Sequence, residues 1–140
     1  MTEHRDGYPH HLPITTRWSD NDAYNHLNNV VYYSFFDTVI NDYLVKVGGL
    51  DIATSPIVGV TVESHCEYRS SIAFPDAVVA GLRVAHLGNS SVRYEVGIFR
   101  GDEGHASAHG HFVHVFVDRA TMKPAPVPAA IRTALEAIAT

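Results

Sequence analysis

The 140-residue sequence contains a single cysteine, Cys66, which excludes an intrachain disulfide and a zinc site built from several thiolates. It also lacks any apolar run near the roughly 20 residues that a membrane-spanning helix needs. The polar, histidine-rich start differs from a secretory signal. We therefore expect a cytoplasmic protein without a membrane partner.

Positive charge is scarce as well, with 10 lysines and arginines against 15 aspartates and glutamates. Binding to nucleic acid requires a positive surface, so we expect no nucleic-acid partner. Hydrophobic residues make up 46% of the chain, which is typical of a globular protein. The length fits one domain. We expect a flexible N-terminal lead-in over residues 1–11 and a single domain over residues 12–140.

A long helix is predicted from about Asn29 to Val47, and the glycine pair that follows is a strong C-terminal signal. Apolar side chains nearly encircle this segment. A helix that is apolar on most sides belongs in the interior of a fold.

Beyond the helix the apolar period changes from 3.6 to 2, which predicts strands at 58–68, 77–87, 91–100 and 105–118. In the first of these, the even-numbered residues from Val58 to Tyr68 are predicted to share one face. A shorter strand is expected at 12–18. The order predicts an α+β fold in which a curved antiparallel sheet wraps around one central helix. Free sheet edges favour pairing between subunits, so we expect a homodimer or homotetramer.

The densest polar cluster, Asp20 to Asn29, lies immediately before the predicted helix. The N–H groups and partial positive charge of a helix N-terminus suit a developing oxyanion, and a nearby carboxylate can attack a carbonyl or activate water. Capping and turn formation are the alternative interpretation, since Asp and Asn are common at helix starts. The residues alone leave both interpretations open.

Residues 17–32, RWSDNDAYNHLNNVVY, resemble the signature of hotdog-fold acyl-CoA thioesterases. The resemblance is to the 4-hydroxybenzoyl-CoA thioesterase superfamily, and within it to the FadM-like branch, over about residues 12–138. It implies a hotdog fold, hydrolysis of an acyl-CoA thioester at the subunit interface, and no cofactor.

The resemblance also implies roles for individual residues. Asp22 corresponds to the catalytic carboxylate, acting as nucleophile or general base. The backbone N–H groups of Asn29 and Val30 would polarise the thioester carbonyl. His26 and Asn28 match further positions of the signature. We therefore predict Asp22, Asn29 and His26 as catalytic, and Asn28 and Val30 as substrate-binding.

Two positions depart from the family pattern. Asn25 stands where the signature has glycine, although asparagine tolerates the left-handed conformation that glycine supplies. The turn at residues 88–91 carries no lysine or arginine, whereas some family members bind the CoA phosphates there.

Tyr32 and Phe36 are four residues apart and so share a helix face beginning one turn after Asn29. We predict that an acyl chain runs along these two rings. The alternative is that both are core residues, because aromatic helix faces mostly fill cores.

Three histidines, His105, His109 and His111, share one face of the last predicted strand. Two histidines at i, i+2 can ligate one metal ion. No acidic residue in that strand completes a ligand set, so we expect surface or interface histidines and no metal.

The sequence leaves two other functions open. Hotdog hydratases and dehydratases pair an acid with a histidine, as Asp22 and His26 could do. A non-catalytic acyl-CoA binding protein is the third hypothesis, because a fold does not determine a function.

Overall fold

The structure, a computed structural model, describes residues 3–140. Its strands and helices, in chain order, are β1 (His10–Ile14), α1 (Asn29–Lys46), β2 (Ile57–Tyr68), β3 (Val78–Leu87), β4 (Ser91–Arg100), β5 (Ala108–Asp118) and α2 (Ala129–Glu136). The strands form one antiparallel sheet in the order β1-β3-β4-β5-β2. The prediction of a strand at 12–18 is wrong in its bounds, because Trp18–Asp20 forms a 3-10 turn.

Helix α1 packs against the sheet through a continuous apolar face. Its buried residues are Tyr32, Phe35, Phe36, Val39, Ile40, Tyr43 and Leu44. The helix ends at the predicted glycine pair, where Gly49 adopts a φ of +75° that glycine accepts without strain. The predicted α+β hotdog fold, a sheet wrapped around one long helix, is confirmed.

Strand β2, at one edge of the sheet, contains a β-bulge. Thr61 pairs with His114 and Glu63 pairs with Val113, which leaves Val62 without a partner residue. One extra residue inverts the alternation of side chains beyond it. The prediction of a single shared face is therefore wrong. Residues 58 and 60 lie on the outer face of the sheet, and residues 64, 66 and 68 lie on the helix side.

Residues 3–9 precede β1, and residues 10–11, also within the expected lead-in, already pair with β3 in the sheet; residues 1–2 lie outside the described residues. Tyr8 is only 3% exposed. Its ring covers Gly81 and Gly97, where an added Cβ would lie 2.8 Å and 3.0 Å from Tyr8 atoms. The guanidinium of Arg83 lies 4.4 Å from the centroid of the Tyr8 ring. A sequence pattern cannot show such packing, because it depends on two distant glycines.

His114, on β5, is a histidine buried in the core. It is 2% exposed, its ring lies edge-on to that of Tyr94, and its Nδ1 has no hydrogen-bond partner within residues 3–140. The ring also fills the space above Gly59, where an added Cβ would lie 2.7 Å from Nδ1. Burial lowers the pKa of His114 from 6.5 to about 4.

The protein is expected to lose stability in acid through His114. His114 binds a proton near pH 6.5 in the unfolded chain and only near pH 4 in the folded chain. The stability that depends on neutral His114 is therefore fully present above pH 6.5 and is lost as the pH falls to 4. The loss should approach about 3 kcal/mol. Urea unfolding at pH 7 and pH 4.5 should show a smaller pH dependence for His114→Phe. The exposed control His86→Gln should match the wild type, and equal pH dependence in His114→Phe would contradict the assignment.

Among residues 3–140, no helix is long and apolar enough to cross a membrane.

Candidate active site

Hydrogen bonds to Asp20, which is 2% exposed, hold the loop before α1 in place. Its carboxylate accepts hydrogen bonds from the Arg17 backbone N–H at 2.8 Å and from the Arg17 guanidinium at 2.9 Å. Its backbone carbonyl accepts the N–H of Asn28. Capping and turn formation therefore account for Asp20, which lies too deep in the protein to contact a ligand.

Asn25 allows the loop to turn back on itself. It adopts a φ of 66°, the left-handed conformation predicted for this position. Its N–H donates to the Asp22 carbonyl, and the Asp22 N–H donates to the His26 carbonyl. The loop therefore closes with asparagine in place of the glycine of the signature.

The first residue of α1, Asn29, has an unpaired backbone donor within the described residues. Asn28 is the N-cap, and its side-chain oxygen accepts the N–H of Val30 at 3.0 Å. The N–H of Val31 donates to the Asn28 carbonyl. The N–H of Asn29 has no partner within the described residues. Asn29, and not Val30, is therefore the residue whose N–H is free to bind an oxyanion.

A cavity of about 360 Å³ opens beside this helix start. Its lining residues are Asp22, His26, Leu27, Asn29, Tyr32, Tyr68, Arg69, Ser70 and Ser71. Four of the predicted site residues thus meet at one cavity, namely those at positions 22, 26, 29 and 32. The other three do not line it: Asn28 caps the helix, Val30 is 67% exposed outside it, and Phe36 lies in the core.

Asp22 presents a largely unengaged carboxylate to the cavity. Its Oδ1 accepts the N–H of Tyr24 at 2.9 Å, and Oδ2 has no hydrogen-bond partner among residues 3–140. The His26 ring stacks on Tyr24, with 6.4 Å between the centroids. In the described part of the chain no hydrogen bond joins the Asp22 and His26 side chains. The carboxylate is thus free to accept a proton from water or to attack an electrophile.

Tyr32 and Phe36 have different surroundings. Tyr32 lines the cavity and lies edge-on to the Tyr68 ring at 5.1 Å, and burial raises its pKa to about 12, which keeps it neutral. Phe36 is 0% exposed, and its ring lies 5.8 Å from that of Phe112. In this structure Phe36 is therefore a core residue and does not line the cavity.

The second wall of the cavity is the end of β2 and the residues after it, none of which the sequence analysis assigns to the site. The Tyr68 hydroxyl donates to the Asn29 carbonyl at 2.9 Å. Arg69 pairs with Glu67 at 2.8 Å. The N–H of Leu27 donates to the Ile72 carbonyl and joins this segment to the loop. No local sequence pattern predicts this wall, because it forms only when β2 packs beside α1.

The turn at residues 88–91 has a cation beside it, although it contains none. Arg132, from α2, donates to the carbonyl of Gly88 at 2.6 Å and to that of Asn89 at 3.2 Å. The sequence could not reveal this arginine, since α2 lies far along the chain.

The strand histidines lie away from this cavity. His105 precedes β5 and its ring contacts that of His4. His111 lies on the outer face, stacked on His65 with 5.4 Å between the centroids. His109 lies across from Glu67 on the same face. Within residues 3–140, no three potential ligands are arranged to hold a metal ion.

The single thiol has no part in the cavity. Cys66 is half-buried on β2, and burial raises its pKa to about 11, which disfavours the reactive thiolate.

Comparisons with known proteins identify the family of this chain. Residues 16–135 match the thioesterase-like superfamily. The crystal structure of the PA5185 protein from Pseudomonas aeruginosa is 48% identical, covers 100% of this chain and 98% of its own, and superposes with a TM-score of 0.99. A thioesterase from Thermus thermophilus, solved with coenzyme A and zinc, is 28% identical, with 95% and 96% of the two chains covered and a TM-score of 0.80.

A more distant structure, the gentisyl-coenzyme A thioesterase BH1999, shares the fold at 20% identity, with 90% and 99% of the chains covered and a TM-score of 0.79. A search among curated proteins finds no significant relative. The superfamily match spans most of the chain and includes the loop, the helix start and the cavity. The chain therefore belongs to the thioesterase-like superfamily and has its hotdog fold.

Proposed function

We propose that this protein is an acyl-CoA thioesterase, which hydrolyses a thioester to the free acid and CoA. One observation carries the proposal. The carboxylate of Asp22 and the unpaired N–H of Asn29 belong to residues that line the same cavity, at the positive end of a helix. A nucleophile or base beside an oxyanion donor is what thioester hydrolysis requires.

In the proposed reaction, the thioester carbonyl accepts the Asn29 N–H, which stabilises the negative charge that develops on its oxygen. Asp22 either attacks the carbonyl carbon, giving an anhydride that water then cleaves, or removes a proton from the attacking water. Both routes expel CoA as a thiolate, which takes up a proton, and both end with the free acid. The unengaged Oδ2 of Asp22 suits either role.

The hydratase alternative receives less support from the site. That chemistry relies on an acid and a histidine acting together, and within the described residues no hydrogen bond couples Asp22 to His26. His26 is exposed and stacks on Tyr24, so it contributes to the wall of the cavity. The non-catalytic alternative does not account for a free carboxylate and a free N–H on residues that line the same cavity.

Arg69 supports recognition of the CoA half of the substrate. Among the described residues it is the only lysine or arginine lining this cavity, and its partner Glu67 is itself partly exposed. A guanidinium binds phosphate through paired, charge-assisted hydrogen bonds. We assign it the CoA phosphates in place of the basic residues missing from the turn at 88–91.

In this proposal the protein works as a homodimer or homotetramer. Strand β2 lies at the edge of the sheet, and the side chains of Trp18, Tyr24 and Val30, in the segment that leads into α1 and on its first turn, are exposed. A second copy placed there would cover these apolar groups and close the site. Sedimentation at micromolar concentration that gives only the monomer mass would refute this assembly.

The function is tested by incubating the protein with acyl-CoA thioesters of different chain lengths and with aromatic acyl groups, while a thiol reagent detects released CoA. Hydrolysis of at least one member supports the proposal. Release of no CoA from any member would refute it, whereas a hydratase would change an unsaturated acyl group without releasing thiol.

A second arm of the experiment separates the CoA half from the acyl half. Arg69→Gln should raise KM for the acyl-CoA by about tenfold, since hydrogen bonds to charged groups contribute about 1.5–3 kcal/mol. It should leave KM unchanged for the N-acetylcysteamine thioester of the same acyl group, which has no phosphate. Arg119→Gln is the control. Arg119 follows the end of β5, at the end of the β2–β5 pair that lies away from Arg69, so its replacement should alter neither KM value.

A further inference from the structure

Tyr68 connects the sheet to the start of α1. It is the last residue of β2, and its hydroxyl donates to the carbonyl of Asn29 at 2.9 Å. Its ring lies edge-on to Tyr32 at an interplanar angle of 84°, and the side chain lines the cavity. Within residues 3–140, no other hydrogen bond joins the sheet to Asn29. A single hydroxyl therefore fixes the separation between the end of β2 and the first turn of the helix.

The first turn needs such a contact, because the ends of helices are the parts that fray. Asn28 and Leu27 are held through backbone bonds to Asp20 and Ile72. Asn29 and Val30 are exposed beyond them, and only the Asn28 cap secures the N–H of Val30. The Tyr68 hydroxyl is thus the lateral support of the residue whose N–H is free.

We propose that Tyr68 is a positioning residue that holds Asn29 so that its N–H points at the thioester carbonyl. The inference rests on the proposed function. An oxyanion donor acts over a narrow range of distance, and small displacements of reacting groups reduce rates strongly. Loss of the hydroxyl would let the first turn move relative to the wall formed by Arg69 and Ser70. Burial raises the pKa of Tyr68 above its ordinary value, so the hydroxyl stays protonated and remains a donor.

Tyr68→Phe tests the hydrogen bond alone, because phenylalanine keeps the ring against Tyr32. The kcat for the best acyl-CoA should fall about tenfold, as expected if the displaced Asn29 N–H loses its hydrogen bond to the oxyanion in the transition state, while KM stays within about twofold. The melting temperature should change by less than about 4 °C, since the removed group is partly exposed.

Tyr43→Phe is the matched control. The Tyr43 hydroxyl also donates to a backbone carbonyl, that of Ala134, but it does so in the later part of α1 and is buried. Its loss should lower the melting temperature and leave kcat unchanged. A raised KM with wild-type kcat in Tyr68→Phe would overturn the inference, because Tyr68 would then be only a wall of the cavity.

A second readout does not depend on activity. The N–H of Tyr33 bonds to the same Asn29 carbonyl within the helix, so its hydrogen exchange reports on the first turn. Exchange should accelerate in Tyr68→Phe and not in Tyr43→Phe, and equal exchange would overturn the inference. If Tyr68→Phe keeps the wild-type kcat while Asp22→Asn is inactive, the positioning role of Tyr68 is refuted and the proposed function is not. A wild-type protein that cleaves no thioester would refute the proposed function, and the exchange data would still decide whether Tyr68 holds Asn29.

Discussion

Replacing Asp22 by asparagine is expected to lower the kcat of thioester hydrolysis by about 10²- to 10⁴-fold. The amide can neither attack the thioester nor take a proton from water. It retains an oxygen that can accept the Tyr24 N–H, so the loop should keep its shape. Release of CoA under saturating substrate measures kcat, and circular dichroism and thermal melting check that the fold is intact.

Asp20→Asn is the matched control, two residues away in the same loop. Asp20 is buried against Arg17, so its replacement should lower the melting temperature more than Asp22→Asn does. It should reduce kcat less, because Asp20 does not line the cavity. Wild-type turnover by Asp22→Asn on a confirmed substrate would disprove the catalytic assignment.

Phe36→Ala is expected to reduce the free energy of unfolding by about 3–5 kcal/mol. The ring is 0% exposed and packs against Tyr33 and Phe112, so truncation leaves a cavity in the core. Denaturant unfolding measures the loss. The preference for acyl chain length should stay unchanged, because Phe36 does not reach the cavity of the monomer.

Val30→Ala provides the comparison on the same helix. Val30 is 67% exposed, so its truncation should cost less than about 0.5 kcal/mol. If Phe36→Ala is almost as stable as the wild type and accepts longer acyl groups, Phe36 forms a pocket wall after all. The sequence prediction of an acyl path along Tyr32 and Phe36 would then be restored.

Helix α1 and strands β2 to β5 could be predicted because their signals are local. A change of apolar period from 3.6 to 2 separates the helix from the strands, and the glycine pair after Val47 ends the helix. The bulge at Val62 has no such signal. Valine continues the alternation of β2 in the sequence, and only the pairing with β5 shows that it is the extra residue.

The candidate site also has a part that the sequence predicts and a part that only the tertiary structure shows. The loop and helix start lie within one short segment, so the signature alone predicts that Asp22, His26 and Asn29 lie close together. Tyr68 and Arg69 could not be predicted, because their nearness to Asn29 depends on how β2 lies beside α1. The signature also could not show that the Asn28 side chain accepts the N–H of Val30, because that hydrogen bond depends on the side-chain rotamer of Asn28.

Tyr8 is synthesised long before the strands on which it packs. A chain is made from its N-terminus, yet the glycines beneath the Tyr8 ring belong to β3 and β4, and β1 also pairs with β3. During synthesis this segment has no partner until most of the sheet has left the ribosome. Closing so long a loop is slow compared with forming the neighbouring hairpins. The first residues of the chain therefore complete the sheet late, and until then the edge of β3 remains open to other chains.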